Sequence, residues 1–185
     1  FTPLGNAADG VVVWSSAHHN TIGGVAGRLA GGPAGPSPAG GNVIANNGHY
    51  GVSVVGSVVG NAIRGNAVYD NADLGIYSDA DVGIPVLTNA VAVDDPEVLS
   101  VSGVLTGTPN TDHELDFFVS ELCDPSGEGE GQDYLGSMTL YGTPSGVMPF
   151  ASLNFPGSYT PGHVVTATAT DQDGTSSQFS WCVVI

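Results

Sequence analysis

The 185-residue sequence contains no lysine and only two arginines, Arg28 and Arg64, against 18 acidic residues, for a net charge of −16. A chain this poor in cations has nothing with which to neutralise phosphates, so nucleic acid is excluded as a partner. The same deficit argues against anionic membranes and phosphate-bearing substrates, and leaves cations and neutral surfaces open. No run approaches the roughly 20 apolar residues of a membrane-spanning helix, so membrane insertion is not expected. No basic region followed by an apolar stretch opens the sequence as a signal peptide would. Helical periodicity is missing as well. No apolar i, i+3, i+4, i+7 pattern is sustained, and 28 glycines with 12 prolines punctuate almost every segment. A Gly-Lys phosphate loop, a CxxC pair and a Ser-His-Asp arrangement are all absent from the motifs.

Cysteine is scarce too. Cys123 and Cys182 both lie in the second half, in segments that read as strands or strand ends. An even pair in an acidic chain rich in Gly, Ser and Thr fits an oxidising, secreted or cell-surface location better than the cytosol. Two buried free thiols are the other reading of these residues taken alone.

What remains is an all-β pattern with 41% hydrophobic residues, enough for a packed core. The first half repeats. Gly10 opens GVVVWSSAHHNTIGG with Asn20 ten residues on, and Gly51 opens GVSVVGSVVGNAIRGN with Asn61 again ten residues on. GNVIANNGHYGV (41–52) and NAVYDNADLGI (66–76) are further pieces of the same unit. Together they give a cycle of short strands and Asn- or Gly-bearing turns about 20 to 24 residues long, which coils into a solenoid of three to four rungs. Val11, Val13, Ile22, Ile44, Val52, Val54, Ile63 and Val68 are expected to point inward. Asn20, Asn42, Asn61 and Asn66 recur where the chain turns, and stacked rungs would set them in a ladder. Between Ile22 and Asn42 a run of Gly, Pro and Ala reads as a loop inserted at one corner.

Near Ile84-Pro85 the pattern changes to longer alternating strands at 98–107, 113–122, 134–142, 148–155, 163–171 and 176–185, separated by turn residues as in an antiparallel sandwich. Two domains follow, 1–85 a parallel β-helix and 86–185 an Ig-like β-sandwich.

These segments, NTIGG, GNVIANNGHYGV and GNAIRGNAVYDNADLGI, are similar to the right-handed parallel β-helix repeats of bacterial secreted and cell-surface proteins. CDPSGEGEGQDYLGS (123–137) and GHVVTATATDQDGTSSQFSWC (162–182) resemble the small sandwich that often follows those repeats. The resemblance implies a fold and an extracellular location more than an activity, and it implies that Cys123 pairs with Cys182.

Candidate sites are few. β-Helical polysaccharide lyases need a cationic base, yet Arg28 sits in the insert and Arg64 stands alone. Hydrolases need paired carboxylates, for which Asp70, Asp73, Asp79 and Asp81 are the nearest set. His18, His19 and His49 could meet at one corner as a zinc site. Calcium is the one cofactor with candidate ligands, at Asp171 and Asp173 in ATDQDG and at Asp94 and Asp95 in VDDPE, with the acidic SGEGEGQD loop (126–133) beside them. Trp14 is expected on the outer surface, with Tyr50, Tyr69 and Tyr77 near turns, which allows a sugar-stacking strip. A β-helix has open ends, and the tail Trp181, Val183, Val184 and Ile185 could add to a neighbour's sheet edge. The expected function is a non-enzymatic extracellular structural or adhesive module, self-assembling through head-to-tail or strand-addition contacts. The alternatives are a glycan-binding or glycan-degrading β-helix, which would need aromatics and carboxylates on one rung face, and a passive spacer of a surface adhesin. Partners on these readings are other copies, surface proteins or glycans.

Overall fold

In the computed structural model the described residues are 4–24, 41–56, 59–94 and 97–185. The inserted loop that the sequence suggests, and Asp95, lie outside them.

Short β-branched segments form the first half because each can bury alternate side chains while its neighbours turn corners. Strands β1 (Val11–Trp14), β2 (Thr21–Gly23) and β3 (Val43–Ala45) make one turn of a coil, and β4 (Val52–Val55), β5 (Ala62–Arg64) and β6 (Ala67–Tyr69) make the next. Strand β7 (Ile76–Ser78) begins a third. Successive turns pair in parallel as β1-β4-β7, β2-β5 and β3-β6. The described residues thus hold two complete turns and the first strand of a third, fewer than the expected three to four rungs. The segment 41–52 does not make a turn of its own. It supplies the last strand of one turn and opens the first strand of the next.

Val13, Ile44, Val52, Val54, Ile63, Val68 and Ile76 form the coil's buried core, with Val11 and Ile22 packed against it. Gly10, Gly51 and Gly75 stack at the corner before the first sheet. There a Cβ on Gly10 would come within 2.6 Å of the Gly51 carbonyl oxygen, and one on Gly51 within 2.5 Å of that of Gly75.

The second half is antiparallel. Strands β8 (Val86–Asp94), β9 (Glu97–Thr106), β10 (His113–Ser120), β11 (Asp133–Leu140), β12 (Val147–Pro156), β13 (Val164–Asp171) and β14 (Val183–Val184) form two sheets. Their orders are β11-β10-β13-β14 and β12-β9-β8. Leu99, Val101, Leu105, Leu115, Phe117 and Val165 are fully buried between them. The sequence suggests a strand over 176–185, but the continuous strand there is only Val183–Val184; Ser176 and Trp181 make isolated bridges to Thr170 and Glu128, and Ser176 and Phe179 reach the coil.

The change from parallel to antiparallel falls between β7 and β8, yet the core does not divide there. Phe118, Tyr134 and Phe179 of the second half belong to the coil's apolar cluster. Polar groups cross the same junction. At one corner the backbone N–H of Asn6 donates to Asn47 Oδ1 (3.0 Å), that of Asn47 to Asn71 Oδ1 (3.2 Å), and that of Asn71 to Glu130 Oε1 (3.1 Å). Glu130 takes the place of the next asparagine. At a second corner Asn20 donates to Asn61 Oδ1 from both its nitrogens, at 3.2 and 2.8 Å. Beyond it Thr175 Oγ1 and Ser176 Oγ accept from the Gly60 and Ile63 N–H groups. At the third, Asn42 donates to Asn66 Oδ1 at 3.0 Å from both nitrogens, and Val68 exchanges two 2.7 Å backbone bonds with Gly131. Among the described residues no buried polar side-chain atom lacks a partner.

Arg64 completes the junction. Its Nε and Nη2 donate to the two oxygens of Asp116 at 2.9 and 2.8 Å, and the Tyr134 hydroxyl donates to Asp116 Oδ1 at 3.1 Å. Burial works against the guanidinium's charge, but Asp116 and Glu114 outweigh it and hold the group above its ordinary pKa. With Asp116 only 1% exposed, removing its partner leaves a charge stranded in the protein. Arg64→Met is expected to lower stability by about 3–5 kcal/mol in urea unfolding, and adding Asp116→Leu to recover part of that loss. A loss below about 1 kcal/mol for the single variant would mean the pair is not a structural tie.

Candidate functional site

The second half covers one end of the coil and docks on β5 and β6, which leaves the outer face of β1-β4-β7 open. Along it Val12, Ser53 and Tyr77 lie in register on successive turns, as do Trp14 and Val55. Trp14 is 72% exposed, so its ring faces solvent as the alternation from Val11 and Val13 requires.

The turns that lead into these strands stack a polar cluster beside the face. His49 stands between two carboxylates, Nδ1 2.6 Å from Asp9 Oδ1 and Nε2 3.2 Å from Asp73 Oδ2. A neutral imidazole donates from one nitrogen alone, so both contacts are hydrogen bonds together only when the ring is doubly protonated. Asp9 also accepts from the Ser53 hydroxyl at 2.7 Å and the Tyr50 N–H at 3.2 Å. Desolvation opposes its charge, but Ser53, His49 and Tyr50 hold it below the usual carboxylate range. Tyr50 stacks on Tyr77 with centroids 4.9 Å apart and planes 18° apart. The Tyr77 hydroxyl donates to Asp79 at 2.9 Å, which raises the phenol's pKa. The Gly56 N–H and that hydroxyl hold Asp79 low. Two stacked aromatics, an exposed indole and three carboxylates thus share one side of the coil.

The face offers aromatic area and carboxylate acceptors. The Ser53 hydroxyl donates to Asp9 and His49 also faces Asp9, so the order in which histidine would activate a serine is not formed. Of the carboxylates singled out in the sequence, Asp73 and Asp79 belong to this face, while Asp70 and Asp81 do not join it. Asp9 was missed, because its link to His49 spans 40 residues and only the coil brings them together.

Other expected sites resolve differently. His18 and His19 contact each other, Nδ1 to Nδ1 at 2.8 Å, while His49 is held by Asp9 and Asp73. Among the described residues no three His, Cys, Asp or Glu side chains are grouped to hold a metal. In the calcium candidate ATDQDG, Asp171 Oδ1 accepts the Asp173 and Thr175 N–H groups at 3.0 and 2.8 Å, a turn cap. Asp94 ends β8. Cys123 and Cys182 form a disulfide. The tail is not a free strand: Val183 and Val184 pair with Val165 and Val164 of β13, and the Ile185 N–H donates to His163. Trp181, 65% exposed, bridges to Glu128 beside the disulfide.

A cleft of about 460 Å³ opens where the halves meet, lined by Tyr69, Asp70, Asn71, Leu122, Asp124 and Glu130. In this cleft the Glu130 Oε1 accepts both the backbone and the side-chain N–H of Asn71.

No family model and no curated protein matches this chain in sequence.

Burial pushes the Glu130 carboxyl up to about 7 against the bonds from Asn71, with the Asp124 charge adding to the rise. The folded protein therefore keeps this proton at pH values where the unfolded group, near 4.5, has lost it. Its contribution is fully present below pH 4.5, declines as the pH rises to about 7, and is level above that. The whole decline is about 3 kcal/mol. Glu130→Gln keeps an acceptor for Asn71 without the charge. It is expected to match the parent at pH 4.5 and to exceed its stability by about 3 kcal/mol at pH 8 in urea titrations. An offset equal at both pH values would rule out this titration.

Proposed function

We propose that this protein is a secreted, non-catalytic adhesive module that binds neutral glycans along the outer face of β1-β4-β7. The observation that carries the reading is the Tyr50–Tyr77 stack set beside Asp9, Asp73 and Asp79 on an open surface. Pyranose rings present apolar C–H faces rimmed by hydroxyls. Aromatic rings offer area to the first and carboxylates accept from the second. Trp14 extends the apolar strip toward the far side of the sheet.

Charge narrows the class. At −16 the chain repels polyuronates and sulfated sugars, so an uncharged saccharide is favoured. The disulfide fits an oxidising location. The sequence's resemblance to secreted and cell-surface β-helical proteins agrees with it. The tail strand β14 pairs with β13 at the edge of its sheet, so strand addition there would extend that sheet rather than use a free segment. Head-to-tail stacking of coils loses its support, since the sandwich occupies the tail end.

The test is titration of the disulfide-intact protein with neutral oligosaccharides and polysaccharides, followed by tryptophan fluorescence and calorimetry. Tyr77→Ala and Trp14→Ala are each expected to weaken binding roughly tenfold, about 1.4 kcal/mol, with little change in melting temperature. Absence of binding by any neutral saccharide at millimolar concentration, or equal affinity in parent and both variants, would refute the proposal.

A further inference from the structure

The asparagine columns have a direction. In each, a backbone N–H, and at most positions an Nδ2 as well, donates to the Oδ1 of the following turn, so every turn receives its predecessor through its own Oδ1 atoms. At the tail end Glu130, Thr175, Ser176 and Gly131 receive the last turn. At the head end the Oδ1 atoms of Asn6, Asn20 and Asn42 occupy the receiving positions, and none accepts a hydrogen bond from a described residue. Among the described residues, strands β1, β2 and β3 each pair on one side only. The burial contrast follows: Asn61, Asn66 and Asn71 are 2%, 2% and 6% exposed, whereas Asn6, Asn20 and Asn42 lie open. Val43 is 61% exposed where Ala67, one turn on, is fully buried, and Val12 is 55% exposed where Ser53 is 2% exposed. Leu4, Val43, Ile44 and Val11 line a hollow of about 380 Å³ at this end.

We infer that this end face is a receiving surface for one more parallel β-rung, supplied by polypeptide joined ahead of Leu4, whose corner N–H groups would enter the Oδ1 atoms of Asn6, Asn20 and Asn42. The molecule itself shows what lies on such a surface, since its second turn is covered in this way by its first. A second copy does not fit. Its tail end is occupied by its own sandwich, and its head end would set acceptors against acceptors and reverse the strand direction. The surface is independent of the glycan face, which the failure of this inference would leave standing.

The period sets the experiment. Asn42 to Asn66 and Asn47 to Asn71 are each 24 residues, and Asn6 to Asn47 is 41, so Leu4 stands in register with Ala45 and Tyr69. A copy of residues 45–68 is joined directly ahead of Leu4, with a scrambled copy as control, in the parent and in an Asn20→Ala/Asn42→Ala background. In the parent the added rung is expected to slow amide exchange in β1, β2 and β3 at least about tenfold and to unfold with the rest in one transition. Comparison within each background cancels the direct effect of the two asparagine changes, and the protection is expected to shrink severalfold there. Equal protection from the scrambled copy, protection unaltered by the two alanines, or no protection at all would overturn the inference. Concentration-dependent dimerisation of the unextended chain with protection of the same amides would overturn it too, by showing that a second copy covers this end.

Discussion

A coil of parallel strands ends in unpaired backbone groups and an open apolar core, and covering that end is the constraint on which the rest of this structure depends. The sandwich meets it group by group. Gly131 supplies backbone partners to β6, Ser176 to β5, and Glu130 an oxygen to the Asn71 corner, while Phe118, Tyr134 and Phe179 close the apolar centre. Because one carboxylate stands where an amide stands in every other turn, the column of neutral asparagines ends in a charge that burial disfavours. The junction is therefore more sensitive to pH than a repeat of asparagines would be.

Cations are so few that their placement matters. Among the described residues Arg64 is the one lysine or arginine side chain, and it lies at the seam between the halves, paired to a buried carboxylate. Arginine suits this position: its planar fork meets both Asp116 oxygens at once, and the Tyr134 hydroxyl shares one of them. A surface elsewhere so acidic has no other described side chain that could do this. Fixing the seam also fixes Tyr134 and Phe118, which pack edge to face beneath it.

The coil was legible because its signals are local. Gly10 to Asn20 and Gly51 to Asn61 share one spacing, and inward valines alternate within single strands. The described residues hold fewer turns than expected because the pieces 41–52 and 66–76 each straddle two turns, which spacing alone does not reveal. Asn6, Asn47 and Asn71 were passed over for lack of a strand-length apolar neighbour, although their column is the longest of the three. Glu130 was illegible for a deeper reason: nothing in SGEGEGQD marks one of its acids as the end of an asparagine ladder 59 residues away. The tail's apolar run is visible in sequence, whereas its pairing with β13 is not. The face proposed to bind glycans was half legible. Trp14 could be assigned an outward position and Tyr50 and Tyr77 places near turns, but the Asp9–His49–Asp73 contacts join residues of three different turns and exist only once the coil has closed.

The arrangement divides the coil's sides between two tasks. Docking uses β5 and β6, where Arg64, Ile63 and Val68 meet the second half, with Gln178 Nε2 donating to the Ser78 carbonyl at the end of β7, while the outer side of the three-stranded sheet at Val12 and Trp14 is left free. Like the other two parallel sheets, it grows with every turn, since each added rung contributes one more strand about 4.8 Å further along. A rung received at the head end would thus do more than cover Asn6, Asn20 and Asn42. It would bury Val12 and Val43 edges now exposed and extend the face that carries Tyr50, Tyr77 and Trp14. A recognition surface built across turns gains contact area with each turn, and a long saccharide chain laid along it would gain affinity by the same repetition that stabilises the coil.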